Sequence, residues 1–230
     1  MVEHMTLTHG IISSVWDETI YWYIERCRNW YEIKKILANA TYSEKKQILN
    51  TAYGLWGYLW HEQDLVLMFS HKLIDYIENN SLGLHLHINY KLKPNNFRLI
   101  NEFYIALQKC VKELRKILGF NKKWFPEIDM IIAGNRYPFE YCFEFKYYHY
   151  SPYTWNIIED LKRKITTLTI LKKYRICKDI VLAILDDYIY RNDERRYIEL
   201  QRILNKAKKF MIVLTYSVSY SDIETALKKY

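Results

Sequence analysis

The sequence predicts an α/β protein: a central mixed β-sheet flanked by helices and preceded by a helical N-terminal region. Three observations carry this. Residues 13–40 place Trp16, Ile20, Tyr23, Ile24, Cys27, Tyr31 and Ile36 at intervals of three and four, the stripe of an amphipathic helix. From residue 96 onward, helix-type and strand-type patterns alternate, the order that builds a sheet with helices packed on it. Residues 179–185 and 210–214 are continuous apolar runs, as a strand requires when both its faces are covered. Pro94-Asn95-Asn96 breaks the chain between the two regimes, which places a helical region at 1–95 and the α/β core at 96–230.

In the N-terminal region, Thr41-Tyr42-Ser43-Glu44 has the spacing of a capping box. It opens a second helical region that runs to about residue 79, with a bend expected near Gly54 or Gly57. Trp16, Trp22, Trp30, Trp56 and Trp60 could stack on bases, but helical spacing already accounts for such a stripe as core. Residues 84–92 alternate apolar side chains with His85, His87, Asn89 and Lys91, the pattern of an edge strand or extended connector with one polar face. His85 and His87 could reach one metal, yet the pair lacks further ligands. His61, Glu62 and Asp64 lack the H-E-x-x-H spacing and read as surface.

Residues 97–118 form a helix with Ile100, Tyr104, Leu107, Val111, Leu114 and Leu118 on one face, and Gly119 closes it. A hairpin follows, then a helix over 154–174 bearing Lys162, Arg163, Lys164, Lys172 and Lys173. A strand at 179–185, a helix at 194–209 and a strand at 210–214 complete the core.

Composition narrows the function. A chain of 230 residues, half of them hydrophobic, suffices for one generous domain or a domain with an appendage. The net charge of +8 favours a polyanionic partner. Cys27, Cys110, Cys142 and Cys177 form no C-x-x-C pair, so they read as reduced core thiols. The N-terminus lacks the basic start and apolar run of a secretory peptide, and the apolar stretch at 48–60 is too short to span a bilayer, so an intracellular protein is expected. Neither G-x-x-x-x-G-K-[ST], G-x-G-x-x-G nor G-x-S-x-G occurs in a chain with six glycines. The 22 tyrosines deprive any one of them of information as a nucleophile.

One stretch concentrates chemistry. Phe125-Pro126-Glu127-Ile128-Asp129-Met130-Ile131-Ile132-Ala133-Gly134-Asn135 and Tyr141-Cys142-Phe143-Glu144-Phe145-Lys146 read as two strands joined by a Gly-Asn and Pro turn. Alternation puts Glu144 and Lys146 on one face and Phe143 and Phe145 on the other. A hairpin would bring Asp129, or its same-face neighbour Glu127, beside Glu144. Two carboxylates with an ammonium alongside make a site for a hard divalent cation and a polarised water. The plain alternative is an exposed hairpin face with a cross-strand salt bridge.

An acidic residue on one strand and Glu144-Phe145-Lys146 on the next resembles the PD-(D/E)XK nuclease superfamily, although Pro126 is followed by Glu127 where that pattern has Asp. Asp129-Met130-Ile131-Ile132-Ala133-Gly134-Asn135 is similar to the Asp, apolar run and Gly-containing turn of archaeal Holliday-junction resolvases, which selects Asp129. Glu102, in the helix before, occupies the place of that branch's helical glutamate. The resemblance covers roughly residues 96–214. It implies a restriction-endonuclease-like core whose three-strand meander would begin with a short strand at about 120–124, a metal-dependent DNA endonuclease, and a homodimer suited to branched DNA. Asp129, Glu144 and the Phe145 carbonyl would bind Mg²⁺ or Mn²⁺, with Glu102 completing the site. Lys146 would position the attacking water. Lys162, Arg163 and Lys164 are expected to contact phosphate. A silent DNA-binding or assembly protein on the same fold is the other reading. The abundance of Tyr, Ile and Lys resembles proteins of thermophilic archaea and their viruses, which would place the chain in the cytoplasm, the host's if viral.

Overall fold

The computed structural model describes residues 7–39, 41–44, 62–135, 137–148, 157–186 and 194–217, with side chains of 26–39 left aside. Helix α1 spans His9–Asn39 and α2 Glu62–Asn79. Strand β1 (His85–Lys91) and a 3₁₀ turn (Pro94–Phe97) lead to α3 (Asn101–Leu118). Strands β2 (Glu127–Ala133) and β3 (Phe139–Tyr148) follow, then α4 (Ile157–Lys173), β4 (Cys177–Asp186), α5 (Glu194–Ala207) and β5 (Ile212–Ser217). The expected bend near Gly54 or Gly57 lies outside the described residues.

The five strands form one mixed sheet in the order β1-β2-β3-β4-β5. β1, β2 and β3 pair antiparallel, whereas β3, β4 and β5 run parallel. Helices cover both faces. Phe103, Leu107, Val111 and Leu114 of α3, Leu161 and Leu168 of α4 and Leu200 and Leu204 of α5 pack with Ile131, Cys142, Ile180 and Leu182 on one face. Ile12, Trp16 and Ile20 of α1 and Phe69 and Leu73 of α2 pack with Met130, Phe143, Phe145 and Val181 on the other. Each fully buried side chain of this size contributes about 2 kcal/mol. Double coverage explains why β4 is buried from Ile180 to Asp186 and reads as an unbroken apolar run. Cys110, Cys142 and Cys177 are free thiols in the three-helix side of the core, and the side chain of Cys27 lies outside those described. Burial is the main cause that lifts the pKa of Cys110 and Cys142 above the usual thiol range.

Several local expectations are met. Gly119 ends α3 with φ 71°, the left-handed cap that glycine adopts without strain. The Thr41 N–H donates to Glu44 Oε2 at 2.8 Å and the Glu44 N–H to Thr41 Oγ1 at 3.4 Å, the two halves of a capping box. Trp16 is buried core, as its spacing implied.

One strand assignment is corrected. Residues 120–124 form turn and irregular chain, not a strand. The antiparallel part of the sheet instead begins with β1, reached across α3, and β1 lies before the expected boundary at 95/96. Of the two readings left open for residues 84–92, edge strand or extended connector, the structure takes the first over His85–Lys91, but alternation carries no information on which strand it joins. Within β1, Asn89 has φ 51°, a left-handed conformation that asparagine tolerates better than most residues. The β1–β2 ladder is interrupted there, between Ile88↔Met130 and Tyr90↔Ile128. Leu86 and Ile88 pack on the α1–α2 side, whereas Tyr90 and Ile128 pack on the three-helix side. Asp129 lies at this switch.

Candidate active site

The β2–β3 register pairs Met130 with Phe143, so its next step sets Asp129 opposite Glu144 on the face covered by α3, α4 and α5. The two carboxylates converge. Asp129 Oδ2 accepts from the Phe145 backbone N–H at 2.7 Å and from Lys164 Nζ at 2.9 Å, and Lys164 also donates to Glu144 Oε2. Two hydrogen bonds to one nitrogen keep the acceptor oxygens within about 6 Å of each other. Glu144 is 1% exposed, the most enclosed carboxylate of the cluster alongside Asp186.

Burial is the largest influence on Glu144 and lifts its pKa well above the usual carboxylate range; Asp129's charge adds to the rise and Lys164 opposes it. Burial alone would lower the pKa of Lys164, but Glu144 and then Asp129 overcome it and raise the value. The ammonium is therefore retained between two acids.

Lys146 faces another pair. Its Nζ lies 2.9 Å from Glu62 Oε2 and 2.9 Å from Asp160 Oδ2. Burial would depress its pKa, yet Glu62 raises it, with Asp160 adding to that rise and Lys164 opposing. The charge of Lys164 felt at Lys146 links the two groups electrostatically. Tyr148 joins them: burial first, then Asp160, Glu62 and Asp186, raise its pKa well above the ordinary phenol value.

Asp129, Glu144 and Lys146 do gather at one end of β3. Glu102 does not join them. It is exposed in the first turn of α3, where its neighbour Phe103 packs against Tyr137 and Phe139 at the start of β3. Five residues of strand, about 16 Å, separate Phe139 from Glu144. Lys164 belongs to the acidic pair rather than to the outer surface of α4. Lys162 is exposed and paired with Glu159 at 3.0 Å, and Arg163 is exposed. Glu62 and Asp160 are site residues that sequence reasoning missed. Asp160 and Lys164 stand four apart on α4, a same-face spacing that could have been read. Glu62 begins α2 and reaches the site only through tertiary packing.

The donor set fits a hard cation in kind. Asp129 and Glu144 offer oxygen ligands, and Mg²⁺ needs only one or two carboxylates beside its waters. The Phe145 carbonyl lies on the same edge of β3 as the N–H given to Asp129, because both groups of one strand residue point the same way. No trio of His, Cys, Asp or Glu side chains forms a ready-made metal cage among the described residues. The four carboxylates Glu62, Asp129, Glu144 and Asp160 surround two ammonium groups, an excess of two formal negative charges when all are ionised, within a chain of net charge +8. That excess is reached only when Glu144, whose carboxyl burial holds toward its protonated form, gives up its proton, and a cation placed beside it favours that loss. Comparisons with protein families, curated proteins and solved structures found no match. Among the described residues, no helix is long and apolar enough to cross a membrane.

Proposed function

We propose that the chain is a divalent-metal-dependent DNA endonuclease with a restriction-endonuclease-like core, acting on branched DNA as a homodimer in the cytoplasm, the host's if the source is viral. The observation that carries this reading is the convergence of Asp129 and Glu144 across β2 and β3, with lysines alongside. Asp129, Glu144 and the Phe145 carbonyl would hold Mg²⁺ or Mn²⁺. The ion would neutralise charge on the scissile phosphate and polarise water for attack. Lys164 is the ammonium in contact with the acids; on this reading it yields its place to the ion and turns to the phosphate. Lys146, fixed by Glu62 and Asp160, keeps a second positive charge next to the reacting group, where it can stabilise charge that develops during displacement. Arg163 and Lys162, outward on α4, are left to meet the DNA backbone.

A second reading has its own support. Lys164 seated between Asp129 and Glu144 already neutralises the pair as an internal salt bridge would, which suits a silent DNA-binding or assembly protein of the same fold.

Linear, flapped and four-way DNA incubated with Mg²⁺ or Mn²⁺ separates the two. The nuclease reading expects cleavage that Asp129→Ala and Glu144→Ala abolish together with metal binding by calorimetry, and that Lys146→Ala slows by orders of magnitude with DNA affinity kept. No cleavage with either ion, and metal binding unchanged in Asp129→Ala, would leave the silent reading standing.

A further inference from the structure

A cleft of 930 Å³ opens between the 3₁₀ turn, α3 and the loop leading into β2. Lys93, Lys109, Lys112, Arg115, Lys116 and Lys122 line it, and no carboxylate does. Several lysines elsewhere are matched: Lys72 with Glu18, Lys172 with Asp179, Lys173 with Glu113, Lys178 with Glu140. Lys93, Lys109, Lys112 and Lys122 have no ion-pair partner among the described residues, and Lys116 acts only on the Glu113 carboxylate, which Lys173 already holds at 2.8 Å. Lys109, Lys112 and Lys116 stand three and four apart on one stripe of α3, a placement in which like charges repel and weaken the helix. A polyanion lying along the stripe reverses that sign.

Aromatic groups adjoin the cations. Phe120 lines the cleft, is 37% exposed, and stacks on Trp124 with ring centroids 4.2 Å apart and planes 19° from parallel. Arg115 lies over the Phe125 ring at 4.8 Å, and its Nε donates to the Trp124 carbonyl at 2.7 Å. Its buried Nη2 has no acceptor among the described residues. A row of unpaired cations beside an exposed ring face is the equipment that recognises unstacked nucleic acid, phosphate by charge and base by stacking.

We propose that this cleft binds a single-stranded segment of nucleic acid, with Lys109, Lys112 and Lys116 on its phosphates and a base against Phe120. A duplex keeps its base faces covered by its own stacking, so Phe120 would gain nothing from it. Phe125 precedes Asp129 by four residues, so the cleft and the acidic pair are joined by no more than about 14 Å of chain. The proposal stands without catalysis at that pair.

The test is equilibrium binding of a fluorescently labelled oligothymidylate, followed by anisotropy across a salt series in EDTA, where no metal-dependent cleavage can intervene. The triple variant Lys109→Gln, Lys112→Gln, Lys116→Gln should bind at least tenfold more weakly, with a salt slope smaller by about 2, the value for three lost contacts on a single strand. Phe120→Ala should weaken the single strand several-fold and leave a duplex of mixed sequence unaffected. An unchanged slope in the triple variant overturns the cleft as the binding surface. Equal losses for single strand and duplex in Phe120→Ala overturn the single-strand assignment.

Discussion

Glu144 and its two neighbours set the chemistry at the residue scale. Its carboxyl has a higher pKa folded than unfolded, because burial disfavours the charged form more than Lys164 favours it. The sign follows. The associated stability is complete below the ordinary glutamate pKa of about 4.3 and is lost as pH rises toward the folded value. Glu144→Gln has no such titration, so it should gain stability relative to wild type as pH rises, by up to about 1.4 kcal/mol per unit within that window. Urea midpoints at about pH 4, 6 and 8 check this, and a constant difference between the two proteins would refute it. Asp129 and Glu144 were legible in the sequence because both depend on local rules, strand alternation and hairpin closure. Glu62 was not, since nothing local distinguishes it from a solvent carboxylate at a helix start. Glu102 misled for the converse reason: its spacing from Asp129 suited one helix and one strand, but α3 carries its first turn to the far end of β3.

At the scale of elements, α4 divides its charges between two surfaces. Asp160 and Lys164 point into the site, while Lys162 and Arg163 face outward. Lys164→Ala leaves two converging carboxylates, one buried, without their common partner and should destabilise the protein by about 3 kcal/mol. The double variant Lys162→Ala, Arg163→Ala should leave the denaturation midpoint where it is. Thermal and urea melts of the two variants check the contrast; equal effects would mean that the helix does not present these faces as described. The run Lys162-Arg163-Lys164 looked uniform in sequence, and only the rotation of α4 against β3 separates its members. Apart from the strand expected at 120–124, the order of helices and strands from residue 96 onward was legible because period and length differ between the two types. The place of β1 was not, because strand pairing across an intervening helix leaves no mark on local pattern.

On the scale of the whole molecule, the sheet divides the core into two apolar layers, and the three buried thiols among the described residues lie in one of them. Cys110 comes from α3, Cys142 from β3 and Cys177 from the start of β4, so together they sample three separate elements of that layer. Held protonated and away from water, Cys110 and Cys142 offer no thiolate to a reagent while the layer is closed. The protein thus contains its own clock for opening. In native buffer, iodoacetamide should label Cys110 and Cys142 more slowly than an unfolded control by about a thousandfold or more, with the two rates equal if the layer opens as one unit. Mass spectrometry of the labelled peptides reads each site separately. A Cys110 rate well above that of Cys142 would show α3 lifting from the sheet by itself, and would make the strip of chain between α3 and the acidic pair a moving part with its own free energy.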